Sequence, residues 1–352
     1  MRISYLIRGH GFGHAARDLR IINAIRELRP DVQLDLASSG TGFEYLAARS
    51  VDCVDLGIPD EADLRPAASW KVWRHLHEVP PPDLVVVDEV TSALQFCRHI
   101  LETPCVLLTD WFFADFGKPE LDRLFNLAAE IIVLDFTDVH SGPIQTKAKI
   151  TRLGPVVDEF GISRPAAQRR LGSGGGSSLT TVVSLGGMTE RPEARRMLER
   201  TVEAWNRYAH RDDRMFILVP EFNLTESGDR HPGVEWVGFT ESPEVYYAAA
   251  DLVITDALGF TNCELAYNGV PVLAFRVKTV LEEYAESFSR RIELLRSSGA
   301  IAVADDDVSS DQIWQAIDGC RPPRAPANAA YLDFSWASPR SVAELILHHL
   351  PN

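Results

Sequence analysis

The sequence predicts an α/β protein built from two doubly wound parallel sheets. Three observations carry that prediction. Short apolar runs alternate with helix-period stretches along the chain, the pattern of strand–helix–strand units. Several runs, such as Leu84–Asp88 and Cys105–Thr109, are apolar without alternation, as in strands covered on both faces. The rhythm stops once, between residues 137 and 178, and then restarts, so 352 residues divide into two halves, each large enough for a core.

In the first half, Ile3–Arg8 reads as a strand, and His14–Leu28 as a helix with Leu19, Ile22, Ile25 and Leu28 at helical spacing. Val32–Ala37 and Val51–Leu56 read as strands around a short helix, Gly42–Arg49. Ser69–Glu78 is helical and stops at Pro80-Pro81-Pro82. Strands at Leu84–Asp88, Cys105–Thr109 and Ile131–Asp135 follow, with a helix at Ala93–Leu101. Gly172–Ser178 reads as a flexible loop. The second half offers strands at Leu179–Leu185, Met215–Val219, Val234–Val237, Leu252–Thr255, Val270–Phe275 and Ala300–Ala304. Helices are expected at Arg191–Ala209, Pro243–Ala249, Thr261–Tyr267, Val280–Ser297 and Ser309–Ile317. The expected division is a first domain over 1–155, a linker over 156–178 and a second domain over 179–326, with helix 338–350 packing back on the first.

Composition excludes several classes. The chain is 45% hydrophobic and 24% charged, ordinary for a globular protein, with no apolar run near the ~20 residues of a membrane span. No signal peptide opens it, so the cytoplasm is the expected compartment. A net charge of -15, with neither half basic, argues against nucleic acid as partner. Five widely spaced cysteines without a CxxC argue against a zinc ribbon or a disulfide framework.

Ligands of doubly wound sheets bind beyond the carboxyl ends of the strands, so the residues there are the candidates. The first strand ends in Arg8-Gly9-His10-Gly11-Phe12-Gly13-His14-Ala15-Ala16-Arg17. Three glycines leave little bulk before a helix N-terminus, where an anionic group is stabilised. Ala16 breaks the GxGxxG dinucleotide pattern, and no Gly-Lys-Ser/Thr follows. His14 enters the helix there, and an imidazole titrates near neutral pH, so it is the candidate general base. His10 and Arg17 are its neighbours. Asp88, Glu89 and Asp110 end the next strands, and Asp110 is the alternative base or the partner of His14. Trp111, with Phe112 and Phe113, is a candidate stacking surface for a sugar or an apolar group.

The second half has a matching set. Ser184 precedes Gly186-Gly187, a pairing of hydroxyl and bare backbone that suits a diphosphate. After the strand at 252–255, Gly259 forms a turn and Thr261 is a candidate N-cap. Glu264 either closes a capping box with Thr261 or accepts hydrogen bonds from a ribose. Asp305-Asp306-Asp307 reads as a solvated loop before a cap at Ser309.

Together these motifs resemble the GT-B nucleotide-sugar glycosyltransferases. The motifs are Gly11-x-Gly13-His14-x-x-Arg17, Gly186-Gly187, and Thr261-x-x-Glu264 ahead of Leu265-Ala266-x-x-Gly269-Val270-Pro271-Val272. The branch they resemble is that of the peptidoglycan-precursor N-acetylglucosaminyltransferase. The opening loop is also similar to that of the transferase-like domain of arabinokinases and of the nucleotide-sugar hydrolase of the pseudaminic acid pathway. The resemblance implies two Rossmann-like domains facing across a cleft. It implies a nucleoside diphosphate sugar, most often a UDP-sugar, held by the second. Ser184, Gly186, Gly187, Gly259 and Thr261 would lie by the diphosphate and Glu264 on the ribose. Gly11 and Gly13 would face the sugar, with His14 or Asp110 as base and His10, Arg17 and Trp111 on the acceptor side. It implies no metal and no cofactor beyond the co-substrate, and inversion at the sugar. Leu258 stands where the branch has a glycine, and Glu282 or Glu283 stands where it has a further donor contact. No basic apolar patch for a membrane-bound acceptor is evident, so a soluble acceptor is expected. A nucleotide-sugar hydrolase and a non-catalytic nucleotide-sugar-binding module are the alternatives.

Overall fold

The structure is a computed structural model and describes residues 1–58, 66–110, 123–136, 146–173, 178–185, 192–219, 231–257, 259–276, 286–305, 307–320 and 334–351. The chain divides into two units, residues 1–157 with 334–352 and residues 158–333.

The first unit is a seven-stranded parallel sheet in the order β3-β2-β1-β4-β5-β6-β7. Its strands are β1 (Arg2–Leu6), β2 (Gln33–Ser38), β3 (Val54–Asp55), β4 (Leu84–Asp88), β5 (Cys105–Thr109), β6 (Glu130–Val133) and β7 (Lys149–Arg152). Helices α1 (Gly11–Leu28), α2 (Gly40–Ala47), α3 (Pro66–Glu78) and α4 (Ser92–Phe96, continued by a π-turn over Cys97–Leu101) connect them. All five residues of β4 and of β5 are buried, which explains their unbroken apolar character. Alternate residues feed two cores. Ile3, Tyr5, Leu84 and Val86 pack with Ile22 and Ile25 of α1, and Leu6, Val85 and Val87 pack with Val72 and Leu76 of α3. Each such aliphatic side chain contributes roughly 2 kcal/mol by leaving water. The chain returns at Val156, bridged to Ala337, and α11 (Pro339–Leu347), capped by Ser338, packs on α1 through Val342, Ala343 and Ile346.

The second unit is a six-stranded parallel sheet in the order β10-β9-β8-β11-β12-β13. Its strands are β8 (Thr180–Ser184), β9 (Arg214–Ile217), β10 (Val234–Trp236), β11 (Leu252–Asp256), β12 (Val272–Arg276) and β13 (Ala302–Asp305). Its helices are α5 (Arg164–Leu171), α6 (Pro192–Tyr208), α7 (Pro243–Ala249), α8 (Thr261–Tyr267), α9 (Glu286–Ser297) and α10 (Ser310–Asp318). Trp205 of α6 is fully buried against Ile254 and Phe275. Ser309 caps α10 through a capping box with Gln312, as its place in the sequence suggested.

Four elements differ most from the sequence reading. The expected strand Val51–Leu56 shrinks to Val54–Asp55, because only those two residues pair with Ala37 and Ser38 at the sheet edge. β7 and α5 lie where the strand–helix rhythm stops. β7 is an edge strand with no fully buried residue, and α5 buries only Ala167 of its eight residues, so neither leaves an apolar pattern. α1 begins at Gly11 and not at His14, which puts Gly11 and Gly13 inside the helix.

In both sheets the chain reverses its winding at one place, between β1 and β4 in the first and between β8 and β11 in the second. Crevices open at such switch points, beyond the carboxyl ends of the two strands.

Candidate functional site

The β1/β4 switch point of the first unit holds a buried charged layer. β1 leads into the 7–10 turn, which is tied to its neighbours by the Ser38 hydroxyl donating to the Ile7 carbonyl (3.1 Å) and that of Thr41 to the Gly9 carbonyl (2.8 Å). α1 starts directly after it, with His10 exposed at the N-cap and making no side-chain cap bond. Gly11 has a φ of 70°, and nothing lies within 4 Å of where a Cβ on Gly13 would sit. His14 occupies the first turn of α1. Its Nδ1 lies 2.7 Å from Oδ2 of Asp88, the last residue of β4. Arg17, one turn along, is buried and donates from Nη2 to Asp88 Oδ1 at 2.5 Å. Its Nε donates to Asp18 Oδ1 at 3.2 Å, and Nη2 also stands 3.2 Å from His14 Nδ1.

The next residue, Glu89, is fully buried and sits in the left-handed region at φ 56°, unusual for a residue with a side chain. It accepts hydrogen bonds from the Thr109 hydroxyl (3.0 Å) and the Asp110 backbone N–H (3.2 Å), and pairs with the Arg8 guanidinium. Sheet adjacency of β1, β4 and β5 thus brings Arg8, His14, Asp88, Glu89 and Asp110 to one place.

The charges sort by their partners. Burial alone would raise the Asp88 carboxyl, but Arg17 and then His14 hold it down at about 2. Burial and then the neighbouring Asp110 push the Glu89 carboxyl well above the usual range, and burial and then Asp88 do the same to Asp18. Burial works against the Arg17 charge, yet Asp88 and Asp18 keep it more firmly protonated than an ordinary guanidinium. With Nδ1 facing an ionised Asp88, the His14 ring carries its proton on Nδ1 and presents Nε2 as the basic nitrogen. The side chain is 16% exposed, so the ring is reachable while Asp88, at 0%, is not.

The β8/β11 switch point of the second unit is arranged differently. Ser184 ends β8 opposite Thr255 of β11. Its hydroxyl lies 2.8 Å from the Tyr247 hydroxyl of α7, and burial pushes that phenol up. Asp256 ends β11 and accepts the Gly259 N–H at 3.0 Å. Asn262, buried in α8, ties the turn down: it donates to the carbonyls of Asp256 (2.8 Å) and Gly259 (3.2 Å) and accepts from the Thr255 hydroxyl (2.6 Å). The Arg291 guanidinium of α9, also buried, lies 4.1 Å over the Phe260 ring. Thr261 is the first residue of α8 and Phe260 holds the cap position without a side-chain bond, so Thr261 is not the N-cap and closes no capping box with Glu264. Glu264 is half-buried one turn along the same helix and adds its charge to the field at Tyr247.

The structure therefore brings His14 and Arg17 together with Asp88, and places Asp110 beside Glu89. Arg17 bonds Asp88 and Asp18. Trp111, Gly186, Gly187, Leu258, Glu282 and Glu283 lie outside the described residues. Sequence reasoning named Asp88 only as a strand-end acid and passed over Asp18, Tyr247, Asn262 and Arg291. The signal for Asp88 was its position after a wholly apolar run; the other four carry no local signal. Among the described residues no cluster of three or more His, Cys, Asp or Glu side chains is arranged to hold a metal ion.

No protein-family model and no curated protein sequence matches the chain. Solved structures match it over nearly its whole length. UGT89C1 of Arabidopsis thaliana in complex with UDP gives a TM-score of 0.69 at 13% identity, covering 99% of this chain and 100% of that one. The glycotransferase of kitacinnamycin gives 0.67 at 17%, covering 99% of each. MurG of Acinetobacter baumannii gives 0.64 at 15%, again covering 99% of each. The fold is GT-B. At these identities the likeness fixes the GT-B fold, and the chemistry has to be argued from the side chains. Among the described residues of this GT-B chain no helix is long and apolar enough to cross a membrane.

Proposed function

We propose that the chain is a glycosyltransferase that moves a sugar from a nucleoside diphosphate donor, a UDP-sugar by preference, to an acceptor hydroxyl. The observation that carries the reading is the His14–Asp88 pair at the β1/β4 switch point. A reachable imidazole, held in one tautomer by a buried carboxylate that stays ionised, is what a general base for a hydroxyl requires. His14 Nε2 takes the acceptor proton while Asp88 keeps Nδ1–H in place and stabilises the imidazolium that forms. The acceptor oxygen bonds to the anomeric carbon, and the bond from that carbon to the diphosphate oxygen breaks with its electron pair on the leaving nucleoside diphosphate. A single displacement of this kind inverts the anomeric centre. Asp110, paired with Glu89 through its backbone, is the weaker candidate for the base.

The donor belongs to the second unit in this reading, with Ser184, Gly259, Thr261 and Glu264 at its switch point and Gly186 and Gly187 on the same segment. A soluble hydroxyl compound is the proposed acceptor, and no metal is assigned a role. The test is nucleoside diphosphate release from a panel of UDP-, GDP- and dTDP-sugars, with and without acceptor alcohols, sugars and phenols. Release that depends on an acceptor is the expected result. Equal release in water alone would make the chain a hydrolase, and binding without release would make it a sensor.

A further inference from the structure

Asp18 is an acidic group of the first unit's charged layer that the proposed reaction does not use. It is fully buried on α1, and its Oδ1 accepts a hydrogen bond from Arg17 Nε at 3.2 Å. Its Oδ2 has no hydrogen-bond partner among the described residues, and neither does the nearby Tyr5 hydroxyl on β1. Asp88 competes for the same guanidinium with better geometry: 2.5 Å to Arg17, plus 2.7 Å to His14. Two carboxylates on one buried cation would leave an excess negative charge out of water, which is costly, and one proton removes that cost. The proton belongs on the carboxyl with the fewer partners.

We propose that Asp18 is a positioning residue that stays uncharged at neutral pH, leaving the Arg17 charge to Asp88 and so keeping Asp88 ionised against the His14 ring. The surroundings agree on every side. Arg17 and His14 lie on its own helix, Tyr5 faces it from β1 and Asp88 from β4. On the helices packed against α1, Glu44 of α2 is exposed, and Arg340 and Glu344 of α11 are exposed and bonded to each other at 3.0 Å. Burial and the Asp88 charge both favour the neutral form of Asp18. An ionised Asp18 would share Arg17, weaken its hold on Asp88 and add a second negative charge behind the imidazole. The neutral carboxyl therefore leaves Asp88 as the charged acid behind the His14 ring.

The test is isotope-edited infrared spectroscopy of the full chain with the aspartate side-chain carboxyls labelled with carbon-13, which separates Asp18 from Glu89. The expected result is a labelled, protonated-carboxyl C=O stretch at pH 7 in the parent that disappears in Asp18→Asn. Absence of that band in the parent overturns the proposal whether or not any variant folds. A band that persists unchanged in folded Asp18→Asn also overturns it. A second readout is the ring titration of His14 by NMR. Its midpoint in Asp18→Asn should stay within about 0.3 pH unit of the parent, and a larger drop would show that Asp18 is charged. The inference leans on His14 as base only for its consequence. A labelled band in a protein that turns over no nucleotide sugar would keep the Asp18 assignment and discard the function.

Discussion

Replacing Asp88 by Asn preserves the shape of the side chain and removes its charge. In the parent the carboxylate lies 2.7 Å from His14 Nδ1 and 2.5 Å from Arg17 Nη2. Holding it at about 2, where an ordinary aspartate stands at 3.8, is worth roughly 2–3 kcal/mol at neutral pH. The variant also leaves the buried Arg17 with Asp18 alone, and breaking one partner out of a buried pair generally costs ~3–5 kcal/mol. Asp18 can ionise in response, so the expected loss is about 3 kcal/mol. For a unit of this size that lowers the melting midpoint by roughly 6–12 °C. The sign of the pH dependence follows from the direction of the shift. A depressed carboxyl stabilises above its unfolded value and loses that contribution as pH falls through the folded one. The gap between parent and Asp88→Asn should therefore be full at pH 7 and close between about pH 4 and 2. Thermal melts over that range, read by tryptophan fluorescence, measure it. A variant that melts within about 1 °C of the parent at pH 7, or a gap indifferent to acid, refutes the assignment of Asp88 as the ionised centre of the layer.

Other substitutions separate chemistry from folding. His14→Ala leaves the buried Asp88 Oδ2 without its 2.7 Å partner, so it should cost about 1–3 kcal/mol in stability while nucleoside diphosphate release falls at least ~100-fold; full activity in a folded variant would remove His14 from the mechanism. Ser184→Ala strands the buried Tyr247 hydroxyl and should cost about 1–3 kcal/mol in urea titrations, with Tyr247→Phe recovering much of it in the double variant. Gly154→Ala should destabilise by more than ~2 kcal/mol or block folding, since φ is 94° and the new Cβ would lie 1.9 Å from the Ser335 carbonyl oxygen. Gly13→Ala, in open space within α1, should be neutral or gain up to ~1 kcal/mol. Glu89 is raised by burial and Asp110, so its contribution is full below the unfolded value near 4.3 and fades as pH rises toward the folded one. Glu89→Gln, locked uncharged, should therefore gain on the parent as pH rises above the ordinary carboxyl range, and a gap that widens in the parent's favour would contradict the shift.

Much of the fold could be read from local pattern. Leu84–Asp88, Cys105–Thr109, Pro243–Ala249 and Thr261–Tyr267 appear with the bounds the sequence implied, because each is a contiguous apolar run or an amphipathic segment between turn residues. β7 and α5 were invisible because they bury almost nothing. The start of α1 was misplaced because glycine is a poor helix former, whereas here a buried face running on from Ala15 through Ile21, Ile22 and Ile25 anchors the helix that the glycine turn opens. Of the site, His14 was legible from a glycine-rich strand-to-helix turn. Its partner was not, since Asp88 lies 74 residues away and is brought there only by the β1–β4 pairing. Arg17 looks like an anion ligand in one dimension and proves to be the buried counter-ion of Asp88, with Asp18 as a second hydrogen-bond acceptor. Ser184 and Tyr247 meet across 63 residues, and no local spacing encodes that contact.

The central claim is that a nucleotide sugar is consumed by base catalysis at His14, and acceptor-dependent release of nucleoside diphosphate compared between the parent and His14→Ala tests it most directly. The account expects the parent to release diphosphate only when donor and acceptor hydroxyl are both supplied, and the folded variant to bind donor with unchanged affinity but turn it over at least ~100-fold more slowly. A parent that binds no nucleotide sugar, or a variant that transfers at the parental rate, would contradict it.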